Sequence, residues 1–132
     1  MRVFVDTSAF FAVLDADDRN HDEAKRVWQD LLTQEAVLVC SNYVLVETLA
    51  LVQHGLGIPA VRTFQEDIVP VLNIEWVDES VHRVGIASVL AAARKGLSLV
   101  DCTSFEIMRR LGIKMAFTFD RHFEEQGVQC LP

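Results

Sequence analysis

The chain has 132 residues, of which 51% are hydrophobic and 23% charged, and a formal net charge of −7 at pH 7. That is the length of one ordinary domain with enough apolar residues for its own core, which excludes a disordered chain, and the acidic balance argues against a protein that grips nucleic acid through a basic surface alone, though not against an enzyme that acts on it through metal ions. Three cysteines, Cys40, Cys102 and Cys130, lack the close pairing of a zinc or redox motif, so the pattern predicts a reduced, cytoplasmic protein.

"RVFVD" (residues 2–6) predicts a buried strand followed at once by a helical stretch, "SAFFAVLDA". The apolar run is cut by Asp6 and Asp15 before it reaches the length of a secretory signal, and no later run approaches a membrane span. "NHDEAKRVWQDLL" places Ala24, Val27, Trp28, Leu31 and Leu32 at helical spacing, with Asn20 and Glu23 spaced as a capping box. "AVLVC" (36–40) predicts a second strand, leading into a helix over "SNYVLVETLALVQ" that Gly55 and Gly57 end. Pro59 and Pro70 frame a further helix carrying Val61, Phe64 and Ile68.

"LNIEWV" alternates as a third strand, and residues 79–95 predict a long helix with Ile86, Leu90 and Ala93 inward and Gly96 as its end. A helix over "SLVDCTSFEIMRRLG" is capped by Ser98 and closed by Gly112. "KMAFTF" predicts a fourth strand, "DRHFEEQG" a helical turn and "VQCL" a fifth strand. Nothing reads as a repeat, a low-complexity segment or a linker. Strands alternating with helices predict an α/β fold in one domain over residues 1–132: a parallel sheet of four to five strands covered by helices on both faces.

In such folds ligands gather at the carboxyl ends of the strands. Asp6 ends the first strand and Asp120 follows the fourth; Asp101 lies in the first turn of its helix and Glu47 in the second turn after strand two, so all four reach one edge. Glu47 has Tyr43, Val44, Ala50 and Leu51 as helical neighbours, an apolar setting in which an unpaired carboxylate is costly. An arginine, a proton or a shared metal ion must compensate it. Oxygen ligands without clustered His or Cys suit Mg²⁺ or Mn²⁺ rather than zinc. Two such ions about 3.5–4 Å apart would stabilise the attacking and leaving oxygens of an in-line displacement at phosphorus.

Each carboxylate also has a structural reading. Asp6 and Asp120 could cap the helices that follow them, Asp101 could complete a capping box with Ser98, and Glu47 could meet an internal arginine. Thr7, Ser8 and Thr118 flank the predicted site as orienting hydroxyls, although turn-forming hydroxyls are common. Arg121 and His122 stand next to Asp120, either meeting substrate phosphates or lying in solvent. Asp15, Asp17 and Asp18 read as a solvated loop. Arg94, Lys95, Arg109, Arg110 and Lys114 read as helix-end cations that complement the helix dipoles.

"VFVDTSAF", "VETL", "SLVDCTSF" and "AFTFDRHF", in this order along residues 3–123, resemble the signature of PIN domains, in particular the VapC-like toxin ribonucleases. The resemblance implies an α/β/α sandwich and Mg²⁺- or Mn²⁺-dependent cleavage of RNA. It implies Asp6 and Asp101 as principal metal ligands, Glu47 completing the site, Asp120 as the fourth carboxylate, and Thr7 or Ser8 with Thr118 as nearby hydroxyls. It also implies a homodimer and an antitoxin protein partner. The leading expectation is therefore a metal-dependent endoribonuclease without a covalent intermediate, acting as the toxin of a toxin–antitoxin pair. The alternative is a non-catalytic PIN-like module that binds RNA or protein. A phosphoacceptor domain is set aside, because "DTS" lacks a paired acid beside Asp6 and no lysine follows the last strand.

Overall fold

The structure is a computed structural model describing residues 1–132. β-Branched and aromatic residues after Arg2 form β1 (Arg2–Val5), whose last three residues are fully buried because helices cover both faces of the sheet. β2 (Val37–Ser41) and β4 (Met115–Phe117) pair with β1 on either side, Phe4 lying opposite both Val39 and Ala116. β3 (Asn73–Glu75) and β5 (Gln129–Leu131) form the edges, giving five parallel strands in the order β3-β2-β1-β4-β5. The chain builds outward from β1 through β2 to β3 and then crosses to β4. The gap between the ends of β1 and β4 is thus the switch point at which such sheets bind ligands. All five predicted strands are present, and no helix is long and apolar enough to cross a membrane.

Seven helices cover the sheet: α1 (Thr7–Leu14), α2 (His21–Thr33), α3 (Asn42–Leu56), α4 (Ile58–Thr63), α5 (Glu79–Ala92), α6 (Leu99–Leu111) and α7 (Arg121–Glu125). Ser41 caps α3 through Val44 N–H, and Gly57, at φ +86°, ends it; Gly55 lies within it. Phe4, Phe10, Phe64, Phe117 and Phe123 are the large buried rings of the core.

Three helical expectations need correction. Asn20 makes no side-chain cap on α2: its backbone, at ψ 5°, is not in the extended conformation of a capping residue, and its N–H is held by Asp18 Oδ1 at 2.8 Å, which leaves it unavailable to Glu23, paired instead with Arg26. The stretch framed by the two prolines is α-helical only to Thr63. It then widens into a π turn at Phe64–Ile68, which places Phe64 and Ile68 in the core, and tightens to a 3₁₀ turn at Val69–Val71. Finally, α5 ends at Ala93, in left-handed conformation at φ +51°, and faces the core with Val81 and Gly85; Ile86, Leu90 and Ala93 point outward.

The face of α5 is chosen by close approach to α6. A Cβ on Gly85 would stand 2.6 Å from the Thr103 methyl and 3.0 Å from Leu99 Cδ1, and the Thr103 hydroxyl is anchored on the carbonyls of Leu99 and Val100. Gly85→Ala gains about 1 kcal/mol of helix propensity but overpacks this contact by about 1–3 kcal/mol. The expected outcome in denaturant unfolding is a net loss of stability, where an exposed helix glycine would show a gain.

Candidate active site

The carboxyl ends of β1 and β4 are tied together by Asp6 N–H donating to Phe117 O at 3.1 Å, which puts Asp6 and the Thr118–Asp120 turn side by side. Asp6 Oδ2 accepts from Ser8 N (3.3 Å), Ser8 Oγ (2.8 Å) and Thr118 Oγ1 (3.2 Å). Ser8 Oγ also accepts from Phe119 N, and Thr118 Oγ1 from Asp120 N, both at 2.9 Å. Asp120 Oδ1 accepts from His122 N and so caps α7. Asp101 completes a capping box: its N–H donates to Ser98 Oγ, and its Oδ2 accepts from Ser98 N, both at 3.1 Å.

The structural readings of these three residues therefore hold, and they serve the site. Each cap engages one carboxylate oxygen and leaves the other without a protein donor, so the caps orient the carboxylates instead of consuming them. Asp6, Glu47, Asp101 and Asp120 all line one cavity of about 340 Å³, with Thr7 and Ser8 on its wall.

Glu47 is positioned by α3 at the cavity mouth, half-buried, not within the core. Of the neighbours that suggested an inward face, only Val44 is fully buried; Ala50 and Leu51 are exposed. No arginine or lysine pairs with Glu47, Asp6, Asp101 or Asp120. Among the compensations open to Glu47, the internal arginine is thereby removed. Thr7 Oγ1 donates to Val44 O at 3.5 Å and accepts from Thr48 Oγ1, fully buried, at 3.1 Å, which holds this hydroxyl on the cavity wall that Glu47 also lines.

Burial raises Asp6 from the ordinary carboxylate value of 3.8 to about 6; the Ser8 hydroxyl opposes the rise, and repulsion from Asp101 and Asp120 adds to it. Glu47 is raised by burial, opposed by the nearby Thr7 hydroxyl, and raised further by Asp101 and Asp120. Asp101 is raised by burial, opposed by the Ser98 N–H, and raised again by Asp120. Four carboxylates in one cavity with no arginine or lysine among them, and only the His122 imidazole beside Asp101 and Asp120, are a destabilising arrangement unless a cation joins them.

His122 belongs to this cluster as well. Its Nδ1 lies 3.0 Å from Asp120 Oδ1 and 3.7 Å from Asp101 Oδ2, and Asp101, Asp120 and His122 each offer a ligand atom within 4.8 Å of the others. Nδ1 is buried yet has no hydrogen-bond partner, because at 3.0 Å it is misaligned with Asp120. Its i+2 spacing from Asp120 was the available signal, read in the sequence as evenly balanced with solvent. Asp18 and Asn20, predicted to lie in a solvated loop and in a cap, also line the cavity; folding of the α1–α2 connection across its mouth has no signature in local sequence. Arg121 is exposed. A donor set dominated by carboxylate oxygens fits a hard divalent cation.

A model of the PIN domain family matches residues 3–128. The chain is a PIN domain. Over 126 residues, 95% of its length and 94% of the relative's, this PIN domain is 33% identical to the 23S rRNA-specific endonuclease VapC20 of Mycobacterium tuberculosis. The crystal structure of M. tuberculosis VapC20, described as a sarcin-ricin loop cleaving toxin, superposes with a TM-score of 0.87 at 32% identity, covering 98% of this chain and 99% of that one. FitAcB from Neisseria gonorrhoeae shares the fold alone, with a TM-score of 0.70 at 14% identity over 100% and 97% of the two chains. The expected PIN-like α/β/α architecture is thus present in this PIN domain, its parallel sheet carrying the full five strands.

Proposed function

We propose that residues 1–132 form one VapC-like nuclease domain, a divalent-metal-dependent endoribonuclease acting as the toxin of a toxin–antitoxin pair. One observation carries this reading: four carboxylates share a cavity at the β1/β4 switch point with no Arg or Lys beside them. Asp6, Glu47, Asp101 and Asp120 would hold Mg²⁺ or Mn²⁺, with His122 beside Asp101 and Asp120. A cation bound there supplies charge to the phosphoryl oxygens of the substrate and water acidic enough to attack phosphorus near neutral pH. Ser8 and Thr118 fix the rotation of Asp6, Ser98 fixes Asp101, and Thr7 shares the cavity wall with Glu47. A module that only binds RNA or protein has no use for this uncompensated charge, and no observation favours it.

The 23S rRNA specificity of the VapC20 relative puts ribosomal RNA first among the RNAs to test. The expected outcome is cleavage of a ribosomal RNA fragment that stops on chelation and returns with Mg²⁺ or Mn²⁺. Cleavage that persists under chelation would overturn the metal dependence. Free cysteines, two of them buried, accord with a reducing cytoplasm. A homodimer is supported by the apolar residues that α3, α5 and the β3–α5 connection leave exposed, Val46, Leu51, Ile86, Leu90 and Trp76.

A further inference from the structure

A concavity of about 980 Å³ lies away from the carboxylates and shares no lining residue with their cavity. It runs along α6 between α5 and the turn that enters β5. Lys114 and Val128, immediately before β4 and β5, place it at the amino edge of the sheet, opposite the switch point. Ala91, Leu97, Phe105 and Val128 give it an apolar lining, and Arg109, Arg110 and Lys114 make one end cationic.

That end is a positive window in an acidic chain. Residues 1–93 hold six Lys and Arg against fourteen Asp and Glu, a balance of −8, whereas residues 94–132 hold six against five, a balance of +1; together these give −7. Glu106, only 6% exposed and without a role at the carboxylate site, holds the cations in place. Arg109 Nε and Nη2 donate to it at 2.6 and 3.0 Å, and Arg110 Nε stands 3.5 Å away while its Nη2 donates to Ser80 Oγ. The Arg109 side chain nevertheless remains 72% exposed. A buried carboxylate that orients two guanidinium groups, one of them facing solvent, forms an anion-receiving end before any partner arrives.

We propose that this groove receives an acidic amphipathic helical segment of another protein, its apolar stripe on the groove lining and its carboxylates on Arg109, Arg110 and Lys114. On α6 the lining runs from Cys102 to Arg110, about 12 Å at 1.5 Å per residue, room for roughly two turns of a docked helix. RNA fits less well. Its phosphates call for cations along the whole track, whereas here they gather at one end. The inference goes beyond the nuclease reading and does not depend on it.

The test uses the full chain and a fluorescent helical peptide of about 14 residues, with leucines spaced three and four apart and glutamates between them, beside a twin carrying lysines for the glutamates. Anisotropy should show the glutamate peptide binding at least about tenfold more tightly than its twin, more weakly as salt rises. Lys114→Glu, at a residue without an ion pair, and Ala91→Trp, which fills the groove from an exposed position, should each reduce that binding by about tenfold or more. Asp101→Asn should leave it unchanged. Equal binding of the two peptides, or indifference to both groove variants, overturns the proposal. So does an RNA stem-loop that displaces the glutamate peptide and itself depends on Lys114, since the groove would then be a nucleic-acid surface.

Discussion

Asp101→Asn should lower metal-dependent RNA cleavage by about three orders of magnitude, on the order of 4 kcal/mol of transition-state stabilisation, while leaving the fold intact. The substitution separates the capping role seen in the structure from the metal-binding role proposed for this residue. As the fourth member of the α6 capping box, Asp101 accepts from Ser98 N–H through Oδ2, and an asparagine oxygen can accept the same bond. As a charge facing Asp6, Glu47 and Asp120 across the cavity, it has no neutral substitute. Rate assays on a ribosomal RNA fragment, paired with circular dichroism melts, read both roles at once. Retained cleavage would reduce Asp101 to a cap and remove it from the nuclease site.

Asp6→Asn should stabilise the metal-free protein at neutral pH even as it abolishes activity. The folded protein holds the Asp6 proton up to about pH 6, whereas the unfolded chain releases it near 3.8. Folding is thus favoured by protonation. The contribution is fully present below the unfolded value and is lost as pH rises through about 6, amounting to roughly 3 kcal/mol at 1.36 kcal/mol per unit. Asparagine keeps an acceptor for Ser8 and Thr118 without the charge. Metal-free Asp6→Asn should therefore melt about 5–10 °C above the unsubstituted protein at pH 7.5 and close to it at pH 4. Saturating Mn²⁺ should raise the unsubstituted protein far more than the variant. Equal melting temperatures at pH 7.5 without metal would show that Asp6 carries no such penalty.

What local sequence conveyed, and what it did not, follows one division. The strands, the Ser98 cap and the glycine stops at Gly57 and Gly112 depend on a few adjacent residues, and all are present as predicted. The orientation of α5 was missed because that helix is apolar nearly all round, so its period selects no face; the small volume of Gly85 against Thr103 does. Helix type changes at Phe64, where core packing demands an extra residue in the turn, and proline positions alone do not report that demand.

The site divides in the same way. Asp6, Glu47, Asp101 and Asp120 are carried to one edge by the order of strands and helices, so topology read from the sequence was enough to bring them together. Glu47 was placed too deep, since the apolar neighbours that suggested burial are split between the core, at Val44, and the surface, at Ala50 and Leu51. Asp18 and Asn20 enter the cavity through a loop whose path is a tertiary property. The Glu106 clasp is hidden for a related reason: spacing predicts ion pairs with Arg109 and Arg110, but only packing shows that the carboxylate between them is buried.

The central claim is that these carboxylates exist to share a divalent cation, and titration of the metal-free protein with Mn²⁺, followed by calorimetry at pH 7.5 and pH 5.5, tests it most directly. Saturable binding is predicted at pH 7.5, weaker at pH 5.5 where Asp6 holds its proton, and lost in Asp6→Asn and in Glu47→Gln. Absence of saturable Mn²⁺ binding at pH 7.5, or equal binding by Asp6→Asn, would contradict it.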